Sequence, residues 1–179
     1  GHPVVWQGWL IDRLERWLNP MHRPAWKRRA GGVLAVLVLL AVSVVSGLML
    51  HGLLPTGVVG VVVLGVLGSS LVAQRSLHRH VADVADALER DGLAAGRRAV
   101  SRIVGRDPER LDEAGVSRAA VESLAENFAD GVVAPVLWLG VGGLAGGIAY
   151  KAVNTADSMI GHRTQRFAAF GWAAARLDD

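Results

Sequence analysis

Long apolar runs alternate with charged stretches along this chain. The apolar runs are Gly31–Leu54, Gly57–Ala73 and Val132–Tyr150, with 24, 17 and 19 residues. An α-helix rises about 1.5 Å per residue, so about 20 apolar residues cross ~30 Å of hydrocarbon. The first two runs are separated by a short Pro-Thr-Gly turn, and together they predict a transmembrane helical hairpin.

The third run differs from the first two because it contains Pro135 and five glycines. A simple span would place the basic residues after it outside the cell, whereas Lys and Arg normally concentrate on the cytoplasmic side. Irregular backbone at membrane depth is tolerated where it is buried in protein. We therefore favour a re-entrant or broken helix over a full span for Val132–Tyr150.

The segment Val4–Leu18 predicts an amphipathic helix that ends at Asn19-Pro20. Its apolar residues lean toward one broad face: Val4, Trp6, Trp9, Leu10, Leu14 and Trp17. Tryptophans often anchor a helix at the headgroup level of a membrane. Two interpretations are equally good: an interfacial helix, or a helix that lies on protein.

The region 74–131 predicts a layer of amphipathic helices. Leu77, Val81, Val84 and Leu88 recur at helical spacing, and Gly92 is a suitable stop. A second helix follows over Leu93–Val104, and Gly105-Arg106-Asp107-Pro108 breaks it. A third helix is predicted from Ser117, as its N-cap, toward Gly131.

These patterns predict an all-α, polytopic membrane protein. We expect one membrane-embedded domain over 1–179, with the hairpin at 31–54 and 57–73. The layer 74–131 is expected in the cytoplasm, followed by the re-entrant or third membrane segment at 132–150 and a polar region at 151–179. The chain lacks an initial Met and ends within a pattern, so we expect the domain to be incomplete at its C-terminus.

The composition agrees with a membrane protein. Hydrophobic residues make up 51% of the chain and the net charge is +3, while the mean hydropathy is +0.34 and the pI about 10.2. Basic residues lie beside the apolar runs, which suits anionic lipid headgroups and a cytoplasmic orientation. A nucleic-acid partner is not expected, because no basic stripe interleaves with aromatics. The absence of cysteine excludes disulfides, thiol nucleophiles and thiolate-bound zinc or iron–sulfur clusters.

Three carboxylates, Glu122, Glu126 and Asp130, lie four residues apart. In a regular helix they would spread over ~80° of one face, and like charges at this spacing repel. No basic residue occurs between Val121 and Tyr150. The set therefore suggests a bound cation such as Mg²⁺, which also takes water and substrate phosphates. The alternative is an ordinary acidic helix surface.

A second polar set follows the third apolar run. If this segment is helical, four side chains share one face: Lys151, Asn154, Ser158 and His162. Lysine supplies a point charge for phosphate, and histidine in this company could carry a proton. Arginines can hold carboxylate or phosphate in bidentate fashion, and the candidates are Arg163, Arg166 and Arg176. Asp178-Asp179 offers a further metal site or a polar helix start.

The residues AVESLAENFADGVVAPVLW and YKAVNTADSMIGHRTQRFAAFGWAAARLDD closely resemble the adenosylcobinamide-phosphate synthase family of cobalamin biosynthesis (CbiB/CobD). The opening HPVVWQGWLIDRLERWLNP, the RIVGRD segment and EAGVSRAAVES are similar to the same family. The resemblance covers nearly the whole chain. Members of that family run well past the end of this chain, so we expect an N-terminal portion that could be inactive alone.

The resemblance implies an enzyme of the bacterial inner membrane with its active site facing the cytoplasm. The implied reaction is an ATP-dependent amidation of the propionate carboxylate of adenosylcobyric acid by aminopropanol or its O-phosphate. Its partners would be the corrinoid substrate, membrane lipids and, as a further candidate, other membrane enzymes of cobalamin assembly. Mg²⁺ with ATP is expected as co-substrate, and no prosthetic group.

Individual roles are hypotheses placed on the matching positions. We assign catalysis to Lys151, Asp157 and His162, with Asp157 or His162 taking the amine proton. Substrate or phosphate binding is assigned to five residues: Asn127, Asn154, Ser158, Arg163 and Arg176. The metal-binding candidates are Glu122, Glu126, Asp130, Asp178 and Asp179.

Two other functions fit the scaffold less well. A non-catalytic sensor or assembly protein need not keep its polar residues together, yet Glu126, Asn127, Lys151, Asn154 and Asp157 are all present. A corrinoid transporter would place polar residues at membrane depth. Most of the polar set flanks the apolar run instead, and no inverted repeat is evident.

Overall fold

A computed structural model of the chain describes residues 3–72, 74–104 and 107–179, with the backbone alone for residues 3, 4 and 74–80. Every regular element in these ranges is helical. The elements are α1 (Pro3–Leu18), α2 (Ala25–Gly52), α3 (Val58–Ser69), α4 (Gln74–Asp91), α5 (Leu93–Val100), a 3₁₀ turn (Pro108–Arg110), α6 (Glu113–Phe128), a π-helical turn (Ala129–Val133), α7 (Ala134–Ile160) and α8 (Trp172–Asp178). The all-helical prediction is therefore confirmed for the described residues.

The chain divides into two compact units. The first, unit 1, comprises Gly1–Leu71 and Pro135–Asp179, and the second, unit 2, comprises Val72–Ala134. Unit 1 holds α1 to α3, most of α7, and α8, while unit 2 holds α4 to α6. Unit 2 covers nearly the same residues as the predicted helical layer, 74–131, whose cytoplasmic location stays a prediction.

The core of unit 1 is built largely from small and aliphatic side chains. Its buried members are Ile11, Ala35, Val36, Leu39, Ala152, Ala156, Ile160, Phe170, Ala173 and Ala174. Small residues let the backbones approach closely. A Cβ added at Gly32 of α2 would overlap the Phe170 carbonyl, and one added at Gly47 would overlap the backbone of Ala145. These two glycines therefore fix how closely α2 packs on the rest of unit 1.

The helix α1 lies on protein along one of its faces. Ile11 is buried, and Leu10 and Leu14 pack against the core, so one face of α1 does lie on protein. Trp6, Trp9 and Trp17 are 72%, 64% and 67% exposed. At about 100° per residue, Trp6 and Trp17 lie within about 40° of Leu10, so the exposed rings flank the face that packs on protein. An interfacial position for these rings stays a prediction.

Two helical stretches of the described chain are long and apolar enough to cross a membrane: Ala25–Gly52 and Glu113–Ile160. The first covers the first predicted span, Gly31–Leu54, except for its last two residues. The second predicted span forms only α3, which has 12 residues and is ~18 Å long at ~1.5 Å per residue. That length is short of the ~30 Å of hydrocarbon, so the two-span hairpin is not confirmed.

The third apolar run contains a break in its helix at Gly143, where φ is 57° and ψ is −150°. This left-handed conformation costs least for glycine, which lacks a Cβ. A broken helix was expected in this run, and the break lies near its middle. The re-entrant path stays a prediction, because the helical stretch also meets the length and composition of a span.

Unit 2 packs α4, α5 and α6 around Val84, Val100, Val116, Ala119 and Ala120. Gly92 separates α4 from α5 with a φ of 76°, which confirms its predicted role as a stop. The second helix of this layer is shorter than predicted, because α5 ends at Val100. The side chain of Leu77 and the residues 105 and 106 lie outside the described part of the chain.

The start of α6 differs from the prediction. Asp112 is the N-cap, since its carboxylate accepts a hydrogen bond of 2.7 Å from the backbone N–H of Gly115. Ser117 instead lies within the helix, where its hydroxyl donates to the Glu113 carbonyl at 2.9 Å. Asp and Ser are both good N-caps, and the earlier of the two begins the helix.

Candidate active site

The C-terminal half of α7 carries a chain of polar side chains that reaches α8. The Lys151 Nζ donates to the Asn154 Oδ1 at 3.4 Å, and the Asn154 Nδ2 donates to the Asp178 Oδ1 at 3.4 Å. Lys151 and Asp178 each make a further interaction. The structure therefore brings together three predicted site residues within unit 1. Lys151 is the catalytic candidate, Asn154 the substrate-binding candidate and Asp178 the metal-binding candidate.

Asp157 lies beside this chain of contacts, on the same helix and beyond the apolar run 132–150. Burial raises the pKa of its carboxyl group, and the negative charges of Asp178 and Asp179 raise it further, while His162 lowers it in part. The net pKa lies above the ordinary value for aspartate. Such a shift in a cluster of polar groups is a recognised property of catalytic acids and bases.

Gly161 leaves space for the Asp157 carboxylate, because it has no side chain. The helix α7 ends at Ile160, and the N–H of Gly161 donates to the Asp157 carbonyl at 2.7 Å. A Cβ at position 161 would overlap the Asp157 Oδ1. The carboxylate therefore lies against the end of the helix, in space that only glycine leaves open.

His162 does not share a helical face with Lys151, Asn154 and Ser158, as was expected. The helix ends two residues earlier, and His162 lies exposed in the following bend. It is still close enough for its charge to lower the pKa of Asp157. The expected common face is wrong for His162, because α7 ends at Ile160.

The serine and threonine hydroxyl groups of α7 donate hydrogen bonds to carbonyl groups of the same helix. Ser158 donates to the Asn154 carbonyl at 2.9 Å, and Thr155 donates to the Lys151 carbonyl at 2.7 Å. Their hydroxyl protons are therefore used, and the oxygen lone pairs remain as acceptors. Ser158 is exposed, so its assignment to substrate binding stays a prediction.

The three arginines after α7 differ in their surroundings. Arg163 and Arg176 are exposed, and no ion pair joins either of them to another described residue. Arg166 instead binds a carboxylate of the chain itself: its Nε donates to the Glu15 Oε1 at 2.9 Å and its Nη2 to the Glu15 Oε2 at 2.7 Å. Two nitrogens of the Arg166 guanidinium are therefore engaged within the chain, and a role for Arg166 in holding substrate stays a prediction.

The pair between Glu15 and Arg166 belongs to a buried network that the sequence analysis missed. Asn19 donates to the Glu15 Oε1 at 2.8 Å and to the Arg166 carbonyl at 3.1 Å. Arg28 donates from Nε to the Asn19 Oδ1 at 2.7 Å, and also to the Arg166 carbonyl. The sequence contained one signal of this network. Glu15 falls four residues after Ile11, so the two side chains lie on the same face of the helix, and that face packs on the core.

This network connects three separate segments and thereby positions the loop 161–171 beside the polar cluster. Glu15, Asn19 and Arg28 are each less than 9% exposed. Burial by itself raises the pKa of Glu15, but hydrogen bonds from Arg166 and Asn19 and the charges of Arg166 and Arg16 outweigh it, so the pKa is lowered. Glu15 is therefore held as a carboxylate that serves structure.

The acidic set of unit 2 lies on α6 and in the π-helical turn that follows. Glu122, Glu126 and Asp130 are exposed, and Glu122 and Asp130 make further interactions. Asn127 donates to the Ser123 carbonyl at 2.7 Å, and Ser123 donates to the Ile103 carbonyl at 3.0 Å. The regular spacing assumed for Asp130 fails from Ala129 onward, because a π-helix follows an i→i+5 pattern.

No three His, Asp or Glu side chains of the described residues are grouped closely enough to hold a metal ion on their own. Mg²⁺ bound with a nucleotide commonly takes only one or two protein carboxylates. The predicted metal role of the two acidic sets therefore stays a prediction. The assignment of Asn127, in unit 2, to substrate binding also stays a prediction.

Comparison with known proteins identifies one family. The family model described as "CobD/Cbib protein" matches residues 1–179. The protein named "Cobalamin biosynthesis protein CobD" from Rhodobacter capsulatus is 54% identical over 179 residues, which are 100% of this chain and 56% of that protein. Proteins of the same name from Sinorhizobium fredii and Brucella suis are 52% and 51% identical over 99% of this chain and 55% of their own length. No solved structure matches this chain.

Proposed function

Because this chain belongs to the CobD/CbiB family, we propose that it acts in cobalamin biosynthesis as the N-terminal part of an adenosylcobinamide-phosphate synthase. The chain spans 56% of the length of its R. capsulatus relative. The proposal therefore concerns the longer protein, and this chain would supply one of its polar clusters. The proposed reaction joins the propionate carboxylate of adenosylcobyric acid to aminopropanol or its O-phosphate.

The chemistry explains why ATP is part of the proposal. A carboxylate is a poor acyl donor, so its oxygen first attacks the terminal phosphoryl group of ATP, which gives an acyl phosphate and ADP. The amine nitrogen then forms the C–N bond, the C–O bond to phosphate breaks, and inorganic phosphate leaves. One proton of the amine passes to a base. Such a reaction requires positioning and charge stabilisation more than a covalent nucleophile.

The observation that carries the proposal is the cluster of Lys151, Asn154, Asp157 and Asp178 in unit 1. Lys151 supplies a positive charge for a phosphoryl group, and Asn154 holds it through the contact of 3.4 Å. Asp157 has a raised pKa, which suits a group that must accept a proton near neutral pH. A base and a phosphate-binding cation on one helix are the two functions that amide formation from an acyl phosphate needs.

Asp157 is the stronger of the two candidate bases, because it is partly buried and lies close enough to Asp178 for that charge to raise its pKa. His162 is exposed beyond the helix end and adjusts the pKa of Asp157. Mg²⁺ would enter as its complex with ATP, with carboxylates drawn from Glu122, Glu126 and Asp130 or from Asp178 and Asp179. When bound, the ion would neutralise charge on the phosphates.

We also propose that α2 crosses the bacterial inner membrane and that the polar cluster faces the cytoplasm. The length of α2, 28 residues, supports a span, and the basic residues at its N-terminus support the orientation. Several of its apolar residues point away from unit 1: Leu34, Leu37, Val45 and Leu48 are 48–60% exposed. An exposed apolar face of this kind fits contact with lipid.

The test is a hybrid in which this chain replaces the matching 56% of the R. capsulatus relative. The purified hybrid in detergent receives adenosylcobyric acid, ATP, Mg²⁺ and aminopropanol phosphate, and the amide is detected by mass. We expect product from the hybrid and far less from its Asp157→Asn variant. A stable hybrid that makes no amide, while the intact relative does, would favour the non-catalytic alternative.

A further inference from the structure

One end of unit 1 carries exposed cations paired with exposed tryptophans. We name this surface the α1–α2 corner. It comprises the second half of α1, the link 19–24 and the first five residues of α2. Arg13 lies 5.1 Å from the centroid of the Trp17 ring, and Lys27 lies 5.3 Å from that of Trp26. Cations over indole rings are attracted by the ring electrons.

A third pair extends the corner to α8, where Arg29 lies 3.7 Å from the centroid of the Trp172 ring. Trp17 and Trp26 are both 67% exposed and Trp172 is 40% exposed. None of these rings belongs to the core of unit 1. Their exposure points to contact with something outside the chain.

The cations of the corner also lack carboxylate partners. In the described part of the chain, Arg13, Arg23, Lys27 and Arg29 form no ion pair with Asp or Glu. The two acids between residues 12 and 29 are already engaged, since Asp12 pairs with Arg16 at 3.7 Å and Glu15 with Arg166 at 2.7 Å. Exposed positive charges without a carboxylate partner would be stabilised by an external anion.

The position of the corner identifies that anion. The apolar run of α2 starts at Gly31, directly after Arg29, so the corner lies where hydrocarbon gives way to headgroups if α2 spans the bilayer. Tryptophan and basic residues are enriched at this level of membranes, and the cytoplasmic leaflet carries anionic lipids. We propose that the α1–α2 corner binds the phosphate headgroups of anionic phospholipids, through cations that the tryptophans hold at headgroup depth.

The buried Arg28 marks the limit of this surface. It is 8% exposed and donates to Asn19 and to the Arg166 carbonyl. Its neighbours Lys27 and Arg29 are exposed. Three consecutive basic residues therefore have two functions: the middle one holds the fold together, and the outer two bind lipid.

The experiment compares lipid retention by the full chain in nanodiscs of mixed phosphatidylglycerol and phosphatidylcholine. Native mass spectrometry after detergent release counts the lipids of each type that stay bound. We expect the wild type to retain phosphatidylglycerol preferentially, and the triple variant Arg13→Gln, Lys27→Gln, Arg29→Gln to lose most of that preference. High salt should weaken the preference of the wild type, because it screens exposed charges.

The matched control is the triple variant Arg98→Gln, Arg102→Gln, Arg110→Gln, which removes three exposed arginines of unit 2. It changes the net charge equally and should leave the preference intact. Far-UV circular dichroism establishes that both variants keep their helices. Equal loss in the two variants, or no preference in the wild type, would overturn the inference; retention of a copurified protein instead of lipid would also overturn it.

This inference rests on the membrane location proposed above. The same experiment distinguishes a failure of the membrane location from a failure of headgroup binding. A chain that does not enter nanodiscs overturns both the location and headgroup binding. Insertion without a preference for phosphatidylglycerol overturns headgroup binding alone. Amide formation by the hybrid protein depends on neither result.

Discussion

Glu15 and Arg166 are joined by two hydrogen bonds of 2.9 and 2.7 Å, although 151 residues separate them in sequence. Through this contact the first helix holds the loop that follows α7, and the loop carries His162 and Arg163. The bidentate geometry is the strongest form of an arginine–carboxylate pair. Asn19 and Arg28 complete the network, so the polar cluster of α7 and α8 rests on residues far from it in the chain.

Replacing Arg166 by Ala should lower the free energy of unfolding, because it leaves a buried carboxylate with fewer partners. The side chain of Glu15 is only 7% exposed, whereas that of Arg166 is 57% exposed, so solvent screens the pair in part and a small decrease is expected. Denaturant titration in detergent measures the change. Arg163→Ala is the control, because Arg163 is exposed and in no ion pair among the described residues; equal effects would contradict the prediction.

The stability of the chain should depend on pH through Glu15. Its pKa is lowered in the folded state, so its contribution is present above the ordinary pKa of about 4.5 and is lost as the pH falls through the folded value. We expect Tm to fall with acidification more steeply in the wild type than in Glu15→Gln. Parallel curves for the two proteins would show that Glu15 contributes nothing to the pH dependence.

Asp157→Asn should abolish most amide formation by the hybrid protein, by about 10²–10⁴-fold if Asp157 is the general base. The same variant should be slightly more stable at neutral pH, because the raised pKa means that the folded state disfavours the charged carboxylate. A structural role would instead predict lower stability. The rate of the wild-type hybrid should fall with acidification at a pH above the ordinary pKa of aspartate, 3.8. Asp91→Asn, an exposed position in unit 2, is the control for both measurements.

Lys151→Ala in the hybrid should raise KM for ATP or lower kcat, according to whether Lys151 binds the phosphate in the ground state or only in the transition state. The chain contains one other lysine, Lys27, which provides a matched control. Lys27→Ala should leave both kinetic parameters unchanged, because it lies on the α1–α2 corner. Wild-type kinetics for Lys151→Ala would remove this residue from the proposed site.

Gly32→Ala should destabilise unit 1, because the added Cβ would overlap the Phe170 carbonyl and backbone atoms cannot move aside cheaply. The control is Gly65→Ala in α3, where nothing lies within 4 Å and alanine favours the helix by up to ~1 kcal/mol. Thermal unfolding in detergent should therefore move in opposite directions for the two variants. A neutral Gly32→Ala would mean that α2 packs less closely than the structure shows.

Much of the fold followed from local pattern, as α1 illustrates. The predicted bounds, Val4–Leu18, differ by one residue from those of α1, because the apolar periodicity starts the helix and Asn19-Pro20 ends it. Ser117 shows the limit of this reasoning, since two residues capable of capping lay near each other. The hydrogen bond from Gly115 to Asp112 selects between them.

The candidate site was predicted in part for the same reason. Spacing alone placed Lys151 and Asn154 on one face of a helix, and the structure joins them. The contact of Asn154 with Asp178 could not be predicted, because it depends on how α8 returns to α7. His162 was misplaced because α7 ends at Ile160, two residues before the helical pattern reaches it.

Sequence by itself determined that the chain is helical, apolar enough for a membrane and similar to the CobD/CbiB family, because composition and periodicity are local properties. Only the tertiary structure decided which charged side chains are buried and support the fold, and which are exposed. Among Lys27, Arg28 and Arg29, three neighbours of the same sign, it buries the middle one beside Asn19 and leaves the others exposed. A helix turns each successive residue by about 100°, so the neighbours on each side, and not the residue type, decide which charge supports the fold and which faces outward.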